Sequence, residues 1–258
     1  MRKRCFFFDI DGTLAAGPVD GRYVPDSARY ALDQLRRAGH EIAICTGRAH
    51  AMARSYMDGL GIRNMVSDGG NGIVIDGELV ELEPLEREPC IRVLEECERK
   101  GMLWGAACED TQERLTRDAR FVDAVHDTYM NTVVDPAFDF HAAPCFYKLF
   151  IPCSVEEERT LESLADVPTV RFSPYVLFVE PADKGRGVRR MMEHFGLPAG
   201  DAVVFGDGTN DLSMFLPEWT CVAMGNAIPQ LKERADYVTA DVDKDGILLA
   251  CRHFGWIE

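Results

Sequence analysis

The stretch RCFFFDIDGTLAAG (4–17) decides how this chain is read. Cys5, Phe6, Phe7 and Phe8 form an apolar run of core residues, which reads as an opening strand. It breaks abruptly at Asp9, Ile10, Asp11 and Gly12. Burying a lone carboxylate is expensive, and a chain tolerates the cost when a metal, a cation or a reaction uses the charge. The break therefore reads first as a site and second as a turn. Two acids spaced by one residue point to the same side of a near-extended backbone. An Asp-Gly turn is the plain alternative. A calcium loop is a third, but it needs a preceding helix, a further acid before its glycine and a closing glutamate, which this stretch lacks.

Outward from that strand the chain alternates. VPDSARYALDQLRRAG (24–39) has Pro25 and Asp26 or Ser27 to start a helix and Gly39 to stop it. HEIAICTG (40–47) reads as a buried strand ending at Thr46, and RAHAMARSYMDGLG (48–61) as a helix with a terminal glycine. Strand, helix, strand, helix implies parallel strands in an α/β layer, in which ligands bind beyond the carboxyl ends of the strands. Asp9, Asp11 and Thr46 all fall there.

The rhythm then changes. GIVIDGELVELEPL (72–85) is a hairpin around Asp76-Gly77, and from about Leu85 to Ala182 helices such as CIRVLEECERKG and VEEERTLESLADV alternate with short strands such as CFYKLFIP, TVRF and YVLFVE. From Lys184 the strand-helix order resumes in GRGVRRMMEHFG, DAVVFGDGTND, TCVAMGNA and ADYVTADVDKDGI. The expected architecture is a Rossmann-like α/β core made from both ends of the chain, 1–84 and 183–258, with an α+β domain inserted over 85–182.

A second acidic break strengthens the reading of the first as a site. VVFGDGTNDLSMF (203–215) is another apolar strand ending in Gly-Asp, with Asp207, Asn210 and Asp211 in the loop that follows. Acidic clusters at two strand ends, in a fold that gathers strand ends, supply hard oxygen ligands without Cys or His support, which points to magnesium rather than zinc. Thr46 and Lys184 each have a bland reading, as a helix cap and a surface lysine. At the mouth of one sheet, a hydroxyl with its following amides and an ammonium can instead hold phosphate oxygens.

The bulk numbers narrow the partners. A net charge of −15 over 258 residues excludes a general affinity for nucleic acid or anionic membrane, which would need a basic face. Nine cysteines, scattered without metal-binding spacing, read as buried thiols in a reducing cytoplasm. The basic opening MRKR is followed by an apolar run too short for a signal peptide or a membrane span. No motif bears on oligomeric state.

In order, DIDGT, TGR, a lysine before a helix and GDGTND resemble the four motifs of the haloacid dehalogenase superfamily of phosphatases. The long separation of Thr46 from Lys184, together with KLFIP, VAMGNA, ADYVT and DKDGI, resembles the Cof-type branch (subfamily IIB), whose cap is inserted after the second motif. The resemblance implies hydrolysis of a small phosphate monoester, a sugar phosphate or a phosphorylated cofactor. It implies Asp9 as nucleophile forming an aspartyl phosphate, Asp11 as acid and then base, and magnesium held by Asp9, the Asp11 carbonyl and Asp207, with Asp211 steadying that shell. Thr46, Gly47, Lys184, Asn210 and the Ile10 amide would surround the phosphoryl oxygens. Where relatives carry Asn-Gly-Ala, this chain has SDGGNGIVI (67–75), which reads as a glycine-rich turn, so Asn71 is left out of the site. Lys148 and His141 read as packing or surface residues. Two rivals remain: a phosphomutase, told apart by isomer formation in place of phosphate release, and a silent phosphometabolite binder, told apart by absence of magnesium-dependent turnover.

Overall fold

The computed structural model describes residues 2–18, 21–171 and 173–258. In chain order the elements are β1 (Cys5–Phe8), α1 (Asp26–Arg37), β2 (Glu41–Cys45), α2 (His50–Leu60), β3 (Asn64–Ser67), β4 (Gly72–Ile75), β5 (Glu78–Leu82), α3 (Arg87–Arg99), β6 (Gly105–Ala107), β7 (Glu113–Thr116) and α4 (Arg120–Ala124). They continue with β8 (Asn131–Val134), β9 (Lys148–Pro152), α5 (Val155–Glu158), β10 (Thr169–Val170), β11 (Val176–Val179), α6 (Lys184–His194), β12 (Ala202–Gly206), β13 (Thr220–Ala223), α7 (Pro229–Arg234), β14 (Tyr237–Val238) and α8 (Gly246–His253). Of the stretches read from sequence, Met1 of MRKR and Phe172 of TVRF lie outside the described residues.

Two compact units result, one of residues 1–48, 53–81 and 183–258, the other of residues 49–52 and 82–182. The first is built on an eight-stranded sheet of order β14-β13-β12-β1-β2-β3-β4-β5, parallel from β14 to β3, with β4 antiparallel to β3. Central β1 explains its own sequence: Phe6 and Phe8 pack on one face with α1, α2 and α8, while Cys5 and Phe7 pack on the other with α6 and α7. A strand covered by helices on both faces has no polar alternation to show. Helices α1 and α6 present Ala28, Ala31, Leu32 and Leu35, and Val188, Met191 and Met192, at the spacing of one buried helical face.

The second unit carries a six-stranded sheet, β10-β11-β9-β6-β7-β8, antiparallel except for the β7–β8 pair. One face is covered by Cys90, Ile91, Val93, Leu94 and Cys97 of α3, and the other gathers Phe121, Val125, Phe150 and Phe178. Arg114 is buried on that second face, forked onto Asp127 at 2.8 and 3.2 Å and lying 4.8 Å from the Phe150 ring centre. Lys148 is also buried, ion-paired with Glu180, while His141 is exposed.

The helix read over VEEERTLESLADV is broken in two. After α5, which opens on a Ser154/Glu157 capping box, the chain extends at Leu161 and restarts as a tight turn over Glu162–Asp166. The cause is tertiary. The buried Glu96 carboxylate of α3 accepts the Ser163 amide (2.9 Å), the Ser163 hydroxyl (2.6 Å) and the Glu162 amide (3.2 Å), capping the restart from outside the segment. Burial alone would raise this carboxyl, but these bonds and the Lys100 ammonium outweigh it and bring it down to about 2.

A group depressed on folding stabilises the native state above its unfolded pKa and loses that contribution as pH falls through its folded one. Glu96→Gln should therefore lower stability by on the order of 2 kcal/mol at neutral pH. In urea titrations the gap to wild type should stay full above about pH 5 and shrink toward pH 2–3, because the wild-type advantage is titrated away.

Candidate active site

Three neighbouring parallel strands, β12, β1 and β2, end side by side, and the residues after them make the site. Asp9 follows β1, its amide still bonded to Phe205 O of β12 at 3.1 Å. The chain then turns: Ile10 O accepts the amides of Thr13 and Ala15, and Asp11 bridges to Ala15. That turn separates the two acids, so they meet different partners instead of sharing one extended face.

Asp9 is buried against a lysine from the far end of the sequence. Lys184 Nζ donates to Asp9 Oδ1 at 2.7 Å and to Asp211 Oδ1 at 2.6 Å, and all three residues are almost inaccessible. Asp211 spends its second oxygen on backbone, accepting the amides of Asp207 (2.8 Å) and Gly208 (2.9 Å). Asp207 accepts the Thr13 hydroxyl at 2.8 Å, and Gly12 approaches it so closely that a Cβ there would lie 2.2 Å from Asp207 Oδ2. Carboxylate oxygens of Asp9, Asp207 and Asp211 converge within 4.8 Å of one another.

The charges do not balance. Three carboxylates face one ammonium, and the titrations respond. Burial pushes Asp9 well above the usual carboxylate range, opposed by Lys184 and reinforced by Asp211, Asp207 and Asp11. Burial and the Asp211 charge push Asp207 up to about 7, against the Thr13 hydrogen bond. Burial would lower Lys184, but Asp211 and Asp9 hold its ammonium above its ordinary range. Asp11 goes the other way: burial raises it, yet Arg48 and Arg22 outweigh that and hold it below the ordinary range. Arg48 forks onto Asp11 with Nε–Oδ2 2.8 Å and Nη2–Oδ1 2.7 Å, and Arg22 adds a second ion pair from the loop that follows Gly21.

Of the residues singled out from sequence, the structure brings together Asp9, Lys184, Asp207 and Asp211. Thr46 is buried at the end of β2 and its hydroxyl accepts the Arg48 amide at 3.1 Å, a local turn. Gly47 follows it, and Asn210 lies in the single turn Thr209–Asp211 beside the cluster. The Ile10 side chain is in the core, so only its backbone can face a ligand. Sequence reasoning left out Arg22, Arg48, Thr13 and Asn226. Arg48 stands inside the TGR triplet, where a cation beside paired acids was a usable signal; Arg22 carries none.

The SDGGNG turn has a structural job. Gly70 has φ +113°, and a Cβ on it would lie 2.0 Å from Asp183 O, at the start of α6. Its bare backbone lets the helix that carries Lys184 begin beside the β3–β4 turn. Asn71 accepts Arg186 Nη2 at 2.7 Å.

Comparison with known proteins agrees with this geometry. The sequence model of the haloacid dehalogenase-like hydrolases matches residues 6–250. The chain belongs to that family. It is 30% identical to the putative phosphatase YkrA of Bacillus subtilis over 260 residues, covering all of both chains. A crystal structure of a hypothetical protein from Geobacillus kaustophilus superposes with a TM-score of 0.84 at 30% identity, over 99% of this chain and 100% of that one. The subclass IIB sugar phosphatase BT4131 superposes at 0.81 with 28% identity, over 99% and 100%. The Cof-type resemblance read from the motifs holds, and the protein is an enzyme of this superfamily.

Gly70→Ala should cost about 2–4 kcal/mol in urea or thermal unfolding, since both the backbone conformation and the contact with Asp183 oppose a side chain. Gly59→Ala, in α2 with nothing within 4 Å of the new methyl, should instead gain about 0.5–1 kcal/mol.

Proposed function

We propose that the protein is a magnesium-dependent phosphatase that hydrolyses small phosphate monoesters through an aspartyl phosphate on Asp9. The observation that carries this reading is the buried excess of negative charge at the ends of β1 and β12, three carboxylates against one ammonium. The donor set fits the cation: hard carboxylate oxygens, close together, with no sulfur or imidazole among them. Asp9 and Asp207 would hold the ion with the Asp11 carbonyl, and Asp211, whose oxygens are taken by Lys184 and two amides, would act as the fixed support behind them. Bound there, magnesium offsets the charge of a phosphate dianion that the acids would otherwise repel and stabilises charge in transfer.

In the first half reaction an Asp9 oxygen attacks phosphorus in line as the bond from phosphorus to the alcohol oxygen breaks, and the leaving alkoxide takes a proton from Asp11. In the second, water attacks the aspartyl phosphate, gives its proton to Asp11 and frees Asp9 with inorganic phosphate. Lys184 favours the ionised form of Asp9 against its burial and aims it, and with Thr46, Gly47, Asn210 and the Ile10 amide it holds the phosphoryl oxygens. The arginines leave Asp11 ionised, ready for the second half reaction. For the first, an arriving dianion must draw a guanidinium away so that Asp11 can carry a proton. Residues 1–84 and 183–258 are the catalytic core on this reading, and 85–182 the inserted cap. Nine free cysteines suit a reducing cytoplasm, and no helix among the described residues is long and apolar enough to cross a membrane.

Asp9→Asn should keep the fold and lose more than about a hundredfold in turnover. A quench of wild type in mid-turnover with labelled substrate should yield acid-stable labelled protein, and the variant should yield none. Residual turnover above about a hundredth of wild type contradicts the covalent role.

Magnesium must displace the proton that Asp207 retains below about pH 7. Calorimetric affinity for magnesium should fall by about tenfold or more per unit below that pH, because the Asp9 carboxyl is raised as well, with proton release visible as a dependence of the heat on the buffer.

A further inference from the structure

Asn226, in the turn after β13, bonds to three separate loops. Its Nδ2 donates to Gly12 O at 2.9 Å and reaches Asp207 Oδ2 at 3.4 Å, while its Oδ1 accepts the Val242 amide at 2.9 Å. A carbonyl on one side and an amide on the other fix which end of the side chain is which. The turn that carries it is itself pinned. The Ile228 amide bonds to Asp207 O at 2.9 Å and the Gly225 amide to Ala240 O at 2.9 Å. A Cβ on Gly225 would lie 2.4 Å from Asp241 Oδ1, so the turn closes directly onto the 240–242 loop. Asn226 is nevertheless exposed, and it lines a cavity of about 430 Å³ together with Asp11, Gly12 and Asp207. A polar side chain that water could satisfy is turned instead onto the loops around the acidic cluster.

We propose that Asn226 is a positioning residue for the magnesium site, holding Asp207 and the Asp11–Gly12 segment at the separation that a small octahedral cation requires. The inference rests on the phosphatase reading and adds a residue outside its ligand set. Asp207 Oδ1 is held by the Thr13 hydroxyl at 2.8 Å and Oδ2 by Asn226, so each oxygen of the carboxylate has its own side-chain donor. Gly12 O follows directly on the Asp11 carbonyl, the other ligand proposed on that loop. One amide group that donates to both Gly12 O and Asp207 Oδ2 therefore ties together two of the three protein groups that would hold the ion. Losing a hydrogen bond behind a ligating carboxylate lowers metal affinity by about 10–100-fold. Magnesium requires near-ideal octahedral geometry at short distances, whereas calcium accepts looser and more numerous ligands. Loosening the two groups should then weaken magnesium more than calcium. A bond that merely stitched loops together would not separate the two ions.

The test is calorimetric, on the full-length protein stripped of metal and titrated with magnesium or with calcium in the absence of substrate. Asn226→Ala should weaken magnesium by about tenfold or more and calcium by less, so that the magnesium-to-calcium affinity ratio falls several-fold. Proton competition at the acids acts on both ions and cancels in the ratio. Asn226→Asp keeps the acceptor for the Val242 amide and removes only the donor. Its added charge draws both divalent ions alike, so the ratio should fall as it does in the alanine variant. Lys232→Met is the control: it removes the Nζ bond to Gly225 O from the same turn without touching Gly12 or Asp207, and the ratio should stay at the wild-type value. Wild-type ratios in both Asn226 variants overturn the proposal and leave the phosphatase reading standing. So does a ratio that falls in Asn226→Ala alone, which assigns the effect to the Val242 bond, or one that falls equally in Lys232→Met. A wild-type protein that binds no magnesium overturns the reading of the site and the inference with it.

Discussion

The ammonium of Lys184 between Asp9 and Asp211 is the contact on which the rest of the site depends. A buried lysine beside a single acid is at best neutral for stability, and removing one partner of such a set leaves a charge stranded. Here the lysine separates two acids that would otherwise repel, while a third stands close by. The surroundings are arranged for that meeting. Parallel pairing sets β12 beside β1, the bare Gly70 lets α6 start where it does, and the Asp207 and Gly208 amides fix Asp211 from behind.

Asp9 and Asp11 are chemically identical and two residues apart, yet the fold drives them in opposite directions. Asp9 is dominated by loss of water and by like charge, Asp11 by two guanidiniums. The turn at Ile10 makes the difference, because it sends the second carboxylate toward the loop that bears Arg48. A reaction that needs a nucleophile and a separate proton carrier can use such a split. On the proposed mechanism the split suits the second half reaction, and the charge of the arriving ester would prepare the first.

What could be read from sequence and what could not divide along one physical line. The parallel order of the core was legible because strands buried on both faces are uniformly apolar and their helices have one apolar stripe, both local properties of β1, α1 and α6. The acids were legible because carboxylates at the ends of such strands have no structural excuse. Arg22 was not, since its meeting with Asp11 depends on the path of an irregular loop. The break after α5 was not either: it is imposed by Glu96, more than sixty residues away in sequence. Lys148, read as packing or surface, is packed, and in an ion pair with Glu180 that no local pattern announces.

The register of β1 has a consequence for how the chain is made. Its partner on one side is β2, but on the other it is β12, with Cys5 opposite Ala202. During synthesis this apolar strand leaves the ribosome long before that partner exists. Its edge stays open while every residue of the second unit is produced, and contacts so far apart in sequence form slowly because a long loop must close first. The second unit's sheet has all its strands within one continuous segment and can finish earlier. Such an order of events exposes the Phe6–Phe8 run to pairing with other chains, an interval in which a chaperone that covers apolar strands would raise the yield of folded protein.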